Sequence, residues 1–81
     1  MTRLPRNLGG PELVAALRHL GYQVTRQTGS HIRLTFEQAE RHHITVPNHV
    51  SLRVGTLAAI LAEVARHHGV SRDELLDRLF P

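Results

Sequence analysis

The chain has 81 residues, a formal net charge of +3 and no cysteine. That length suffices for one domain with a modest core, and the lack of thiols excludes disulfides and cysteine-ligated zinc. All ten basic residues are arginines, and the first 56 residues hold seven of them against three acidic residues. This composition is compatible with a polyanionic partner such as nucleic acid; the alternative is that arginine replaces lysine because of genomic base composition.

The first predicted element is a helix over Pro11–Leu20. Its apolar residues recur three or four positions apart, which is the spacing of one buried helix face. Pro11 suits the first helical turn, where a missing N–H costs nothing. Gly21 follows where a helix needs a residue in a left-handed conformation to end it.

Three short strands are predicted next, over Tyr22–Gln27, His31–Phe36 and His43–Val46. The connections between them have hairpin length, so the strands should form an antiparallel meander. Pro47 ends the third strand because proline cannot donate a hydrogen bond to a neighbouring strand.

The alternation of apolar and polar residues assigns faces to these strands. In the second strand the inward-facing residues are Ile32, Leu34 and Phe36, and the outward-facing residues are His31, Arg33 and Thr35. In the third strand His43 and Thr45 face outward. In the first strand Arg26 falls on the same face as Tyr22 and Val24, so it must leave the core at the strand end.

Two more helices are predicted after an irregular stretch over residues 48–55. Thr56 is the predicted N-cap of the second helix, which carries an apolar stripe and stops at Gly69. Ser71 and Glu74 form a capping box for a short third helix. The order α-β-β-β-α-α predicts one α+β domain over residues 1–81, of the double-stranded-RNA-binding type, with helices covering one face of a three-stranded antiparallel sheet.

His31 is the candidate catalytic residue on the uncovered face of this sheet. A useful share of exposed imidazoles is unprotonated at neutral pH, so His31 could take the proton of a ribose 2′-OH that attacks the adjacent phosphate. Arg33 could stabilise the charge that develops, without a metal. Gly29 allows close approach of a phosphate, and Ser30 offers a hydroxyl donor. The alternative is a solvated strand histidine with no function.

Other residues could complete such a site. His49 could protonate the 5′ leaving oxygen, or it could be a loop histidine with no such role. Arg53 and Thr56 stand at the start of the second helix, where free N–H groups and a partial positive charge bind phosphate well. That segment could equally be only a helix start.

Metal and cofactor chemistry are not predicted. The pairs His42–His43 and His67–His68 are sequence neighbours, and neighbouring side chains point in different directions on a strand or helix. No His-Glu-x-x-His spacing, carboxylate cluster or Ser-His-Asp arrangement occurs in the sequence. We therefore expect no bound metal and no cofactor.

Four motifs, in this order and spacing, resemble the HicA-type toxin family, also called YcfA-like mRNA interferases: "RQTGSHIRL", "ITVPNH", "GTLAAIL" and "GVSRDELL". The resemblance extends from Pro11 to about Leu79. It implies a double-stranded-RNA-binding-like fold, cleavage of mRNA within a type II toxin–antitoxin system, and neutralisation by a HicB-type antitoxin. The family's catalytic histidine follows Gly-Ser, which implies that His31 is catalytic here.

Two departures from the family pattern stand out. Many members have lysine where this chain has Thr28, so Arg26 becomes the candidate for the missing phosphate contact. The second helix is also longer than in many members by about one turn, through Ala62–His68.

The residues alone support a small basic α+β domain that could bind RNA, and the resemblance implies a metal-independent endoribonuclease that acts on mRNA as a toxin. The alternatives are a non-catalytic RNA-binding module of the same fold and a domain used only for protein association.

The N-terminal residues lack the apolar core of a signal peptide, and the longest apolar run is far shorter than the ~20 residues that span a bilayer. We therefore predict a cytoplasmic protein with no membrane partner.

Overall fold

The computed structural model describes residues 4–81, and its architecture confirms the predicted element order. The helices and strands, in chain order, are α1 (Gly10–Leu20), β1 (Gln23–Thr28), β2 (His31–Phe36), β3 (His42–Pro47), α2 (Val54–His68) and α3 (Arg72–Leu79). The three strands form one antiparallel sheet, as predicted, with β2 in the centre. Among residues 4–81, no helix is long and apolar enough to cross a membrane.

Tight connections set the register of the sheet. Thr28 pairs with His31, so Gly29 and Ser30 alone form the turn between β1 and β2. Gly29 has a φ of +54°, a conformation that glycine adopts without steric cost. On the other side of β2, His31 pairs with Pro47 and Thr35 pairs with His43.

A β-bulge interrupts the pairing of β1 with β2. Val24 pairs with Leu34, but the next pair is Arg26 with Arg33, so Thr25 is an extra residue in β1. A bulge of this kind changes which face the following side chains occupy. The prediction that Arg26 shares a face with Tyr22 and Val24 is therefore wrong, because the bulge moves Arg26 to the uncovered face opposite Arg33.

The core lies between the helices and one face of the sheet. Its fully buried side chains come from all three helices, from β2 and β3, and from the connection between α1 and β1. They are Leu13, Leu17, Tyr22, Leu34, Val46, Leu57, Leu61, Val64, Leu75 and Leu76. The predicted apolar stripes of the first two helices are therefore confirmed. Every residue of β1 is exposed, and Val24 is 42 % exposed. Its predicted inward position is not matched by burial, whereas β3, which is also an edge strand, buries Ile44 and Val46.

The helix ends agree with the sequence only in part. Ser71 caps α3, since its hydroxyl accepts a hydrogen bond from the Glu74 N–H at 3.1 Å, as predicted for a capping box. Helix α2, however, begins at Val54, and its N-cap is Arg53, which makes no side-chain capping bond. The prediction that Thr56 is the N-cap is therefore wrong: Val54 and Gly55 already have helical conformation, which places Thr56 inside the first turn.

Candidate functional site

His31 lies at the start of β2, and its side chain is exposed. Its neighbours along the strand alternate as predicted: Ile32 and Leu34 are buried among the helices, whereas Arg33 is exposed. Because side chains two residues apart share a strand face, His31 and Arg33 lie on the same uncovered face. The imidazole is therefore accessible to a large substrate.

Three backbone hydrogen bonds hold the loop after β3 beside the start of β2 and the start of α1. The Asn48 N–H donates to the Ser30 carbonyl at 2.6 Å, and the Gly10 N–H donates to the His49 carbonyl at 2.8 Å. The Leu52 N–H donates to the Leu8 carbonyl at 2.8 Å. The structure thus brings the backbone around His49 close to the turn that precedes His31, and the His49 side chain is exposed.

The turn before His31 is open to solvent. Gly29 and Ser30 are both exposed, and a methyl group added at Gly29 would meet no atom within 4 Å. Nothing on the protein side therefore blocks the approach of a phosphate group to this backbone.

The start of α2 lies directly after the same loop. Arg53 is exposed and stands at the N-cap position, Thr56 is half-buried, and the first turn contains no acidic residue. The N-terminal N–H groups of a helix without a side-chain cap keep hydrogen-bonding capacity for an anion. The phosphate site at Arg53 and Thr56 remains a prediction, and the helix starts earlier than predicted.

Three histidines gather at the opposite end of the sheet, around the Tyr22 hydroxyl. The Tyr22 hydroxyl oxygen lies 2.6 Å from His42 Nδ1 and 3.0 Å from His68 Nε2. The ring of His67 stacks on that of His42 with their centroids 4.2 Å apart. His42 Nε2 also lies 3.8 Å from a Glu63 carboxylate oxygen. This cluster joins the start of β3 to the end of α2.

This cluster is not predicted from the sequence, because each adjacent pair of histidines taken separately shows no ligand spacing. His42, at the start of β3, meets His67 and His68, at the end of α2, only when α2 packs on the sheet. No group of His, Cys, Asp or Glu side chains within residues 4–81 has the geometry of a metal site.

Burial controls the charge of this cluster. Burial, reinforced by repulsion from His67, lowers the pKa of His42 below the ordinary value of 6.5, although Glu63 acts in the opposite direction. Burial also lowers the pKa of His68, and His67 reinforces that shift. Burial and the nearby Glu63 carboxylate raise the pKa of Tyr22 to about 12. The folded protein thus favours neutral His42 and His68 and a protonated Tyr22.

We expect the free energy of unfolding to fall as the pH is lowered from 7.5 to 5.5. His42 and His68 have lower pKa values in the folded chain, so the unfolded chain binds protons first as the pH falls through 6.5. Their stabilising contribution is complete above that pH and is lost below it. Urea unfolding midpoints at the two pH values would measure the loss.

The control for this prediction is a pair of single substitutions. His68→Leu should reduce the loss of stability between the two pH values, whereas His19→Leu, at an exposed position of α1, should leave the loss unchanged. An equal or larger loss in the His68→Leu protein would contradict the assignment.

Comparison with known proteins adds one finding. The sequence model of a family described as "HicA toxin of bacterial toxin-antitoxin" matches residues 10–69, which are 60 of the 81 residues. The match covers α1, the whole sheet and α2, and includes the turn at Gly29–Ser30 and His31. Neither the curated proteins nor the solved structures include a significant match to this chain.

Proposed function

This chain belongs to the HicA toxin family and is the toxin of a toxin–antitoxin system, and we propose that it acts as a metal-independent endoribonuclease that cleaves mRNA. The observation that carries the proposal is the position of His31. It stands exposed on the uncovered sheet face, directly after an open Gly-Ser turn. Arg33 shares its face, and Arg26 lies opposite Arg33.

His31 is the proposed general base. Its imidazole takes the proton of a ribose 2′-OH, and the 2′ oxygen attacks the adjacent phosphorus. The bond from phosphorus to the 5′ oxygen then breaks, which leaves a 2′,3′-cyclic phosphate on one fragment. The 5′ oxygen leaves with a proton from His49 or from water, which gives a 5′-hydroxyl on the other fragment.

Arginine side chains are the proposed source of electrostatic stabilisation. Negative charge builds up on the phosphate oxygens in the transition state, and preorganised cationic donors lower its energy. Arg33, Arg26 and Arg53 are exposed and available for this role. Gly29 and Ser30 would let the backbone and a hydroxyl approach the same phosphate.

The proposed partner is a HicB-type antitoxin. The family match supports an antitoxin partner in general. An antitoxin bound to the uncovered face and its open turn would prevent RNA from binding there. Binding that excludes RNA there would neutralise the toxin without changing its fold.

The proposed reaction predicts cleavage of mRNA by the pure protein in the presence of EDTA. The fragments should carry 2′,3′-cyclic phosphate and 5′-hydroxyl ends, because the nucleophile belongs to the RNA itself. An RNA of the same sequence with 2′-O-methyl groups should remain intact. End-group analysis of the fragments would measure the first outcome, and gel electrophoresis of the methylated RNA would measure the second.

Two results would count against this reaction. Cleavage that appears only after a divalent cation is added, with 3′-hydroxyl ends, would point to an attacking water. RNA that stays intact but binds in a salt-dependent way would instead support the non-catalytic RNA-binding module, which the exposed arginines of the sheet also favour.

A further inference from the structure

A shallow depression on the uncovered sheet face lies further along β2 from His31. It is lined by five residues of the three strands and by Arg41, which immediately precedes β3. The strand residues are Thr25, Arg26, Arg33, Thr35 and His43. Three of these six residues are arginines, and none is acidic. We propose that this depression, which we call the arginine pocket, is a second phosphate-binding subsite for RNA; the proposal rests on the proposed function.

A hydrogen bond with the buried Thr35 hydroxyl holds His43 in place in the arginine pocket. The side chain of Thr35 is on the uncovered face, yet the residue is only 2 % exposed, because Thr25 and His43 cover it. The Thr35 hydroxyl oxygen lies 2.8 Å from the Thr25 hydroxyl and 2.8 Å from His43 Nδ1. With Nδ1 fixed in this way, Nε2 lies on the far edge of the ring, away from Thr35.

The β-bulge is the feature that concentrates the positive charge. Because Thr25 is the extra residue, Arg26 lies directly opposite Arg33, whereas a regular ladder would pair Arg26 with Ile32. Two arginines side by side repel each other in the free protein. An anion between them relieves this repulsion, and a planar guanidinium can donate two parallel hydrogen bonds to two oxygens of one phosphate group.

Arg41 is the third cation, and it is only weakly held. It bonds to the Glu37 carboxylate at 2.9 Å, but the two side chains are 67 % and 62 % exposed. Exposed ion pairs of this kind contribute little to stability. A phosphate group in the arginine pocket can therefore compete with Glu37 for the Arg41 guanidinium.

The position of the pocket suits a phosphate of the same RNA strand that His31 would cleave. Thr35 is four residues from His31 along β2, which is about 13 Å at the rise of a strand. A few nucleotides cover that distance. Arg33 lines the arginine pocket on the side nearer His31 and would link the two sites.

The pocket should read the phosphates of RNA and not its bases. Base recognition in single strands relies largely on stacking with aromatic side chains. The chain has one tyrosine, two phenylalanines and no tryptophan; Tyr22 and Phe36 are buried, and Phe80 packs against the core. The aromatic rings on the uncovered face are instead the imidazoles of His31 and His43. Because contacts to phosphate groups carry no sequence information, binding in the arginine pocket should depend little on the sequence of the RNA.

The test uses a 2′-O-methylated oligonucleotide of about ten nucleotides, within the usual range of single-strand site sizes. This probe cannot be cleaved through its 2′ oxygen, so its binding does not depend on catalysis. Relative to the wild-type chain, Arg41→Gln should weaken binding of this probe about tenfold at low salt, as expected for one charge-assisted contact. It should also reduce the salt dependence by about 0.7 in log–log slope.

Two matched substitutions make the result specific. Glu37→Gln should strengthen binding, because it releases Arg41 from its carboxylate partner. Arg72→Gln removes the same charge from an exposed position at the start of α3, in the helical layer, and should leave binding nearly unchanged. Probes of different sequence but equal length should bind equally.

Several outcomes would overturn the proposal. Arg41→Gln and Arg72→Gln could weaken binding equally, or Glu37→Gln could fail to strengthen it. The protein could also bind an oligoglutamate peptide of the same charge with equal affinity, which would indicate that an acidic protein segment occupies the arginine pocket. Binding with the expected pattern by a protein that leaves mRNA intact would support the arginine pocket and reject only the proposed nuclease activity.

Discussion

Replacing His31 with alanine is expected to abolish mRNA cleavage and growth arrest while the fold stays intact. The His31 side chain is exposed and contributes nothing to the buried core, so its removal should change the unfolding midpoint very little. A positioned general base contributes typically 10²- to 10⁴-fold to a rate, and we expect a loss in that range. Single-turnover cleavage of an mRNA in EDTA would measure it.

Two further histidine substitutions serve as controls. His19→Ala removes an exposed imidazole from α1, far along the chain from the Gly-Ser turn, and should leave cleavage unchanged. His49→Ala should slow cleavage if His49 protonates the leaving oxygen, and should have no effect if water does so. Cleavage by the His31→Ala protein at the wild-type rate would exclude His31 as the base.

Replacing Gly10 with alanine is expected to destabilise the protein and to reduce cleavage at the same time. Gly10 is buried at the start of α1. A methyl group there would overlap the carbonyl oxygen of Pro47 and lie 3.0 Å from its carbonyl carbon. Since these are backbone atoms, either α1 or the loop after β3 must move, at a cost of about 1–3 kcal/mol.

The same movement should reach the candidate site. Pro47 pairs with His31, and the Gly10 N–H bonds to the His49 carbonyl. A shift of this loop therefore disturbs the positions of both histidines. We expect the midpoint of thermal unfolding to fall by about 4–8 °C for each kcal/mol lost in a domain of this size, with a slower cleavage rate measured well below that midpoint.

Gly55→Ala is the matched control. Gly55 lies in the first turn of α2, is exposed, and has no atom within 4 Å of where a methyl group would be placed. Alanine lowers the conformational entropy of the unfolded chain and favours a helix by about 0.5–1 kcal/mol, so the unfolding midpoint should rise. A Gly10→Ala protein as stable as the Gly55→Ala protein would show that the contact with Pro47 is not as close as the structure indicates.

Part of the candidate site could be predicted because it depends on local pattern. The alternation in β2 placed His31 and Arg33 on one face and Ile32 and Leu34 on the other, and the structure has this arrangement. The Gly29–Ser30 turn and the capping box at Ser71 were predictable for the same reason: each depends on a few neighbouring residues and on the conformations that they favour.

Other features were decided by contacts between distant segments. The start of α2 at Val54 could not be predicted from Thr56, since the Leu52 N–H bonds to Leu8, and that bond belongs to the packing of the whole loop. The histidine cluster likewise needs α2 to pack beside β3, and the sequence contains no signal for that contact.

The amino-acid sequence by itself determined the order of the elements, the apolar faces of the helices and the exposed position of His31, because helical and strand periodicities act over a few residues. Only the tertiary structure decided that Arg26 faces Arg33 and that Thr35 is buried beneath Thr25 and His43. The first result follows from the bulge at Thr25, and a bulge is a property of two paired strands. The second depends on hydrogen bonds between Thr35 and both neighbouring strands. The effect of the bulge on which face a side chain occupies becomes visible only when β1 and β2 are aligned with each other.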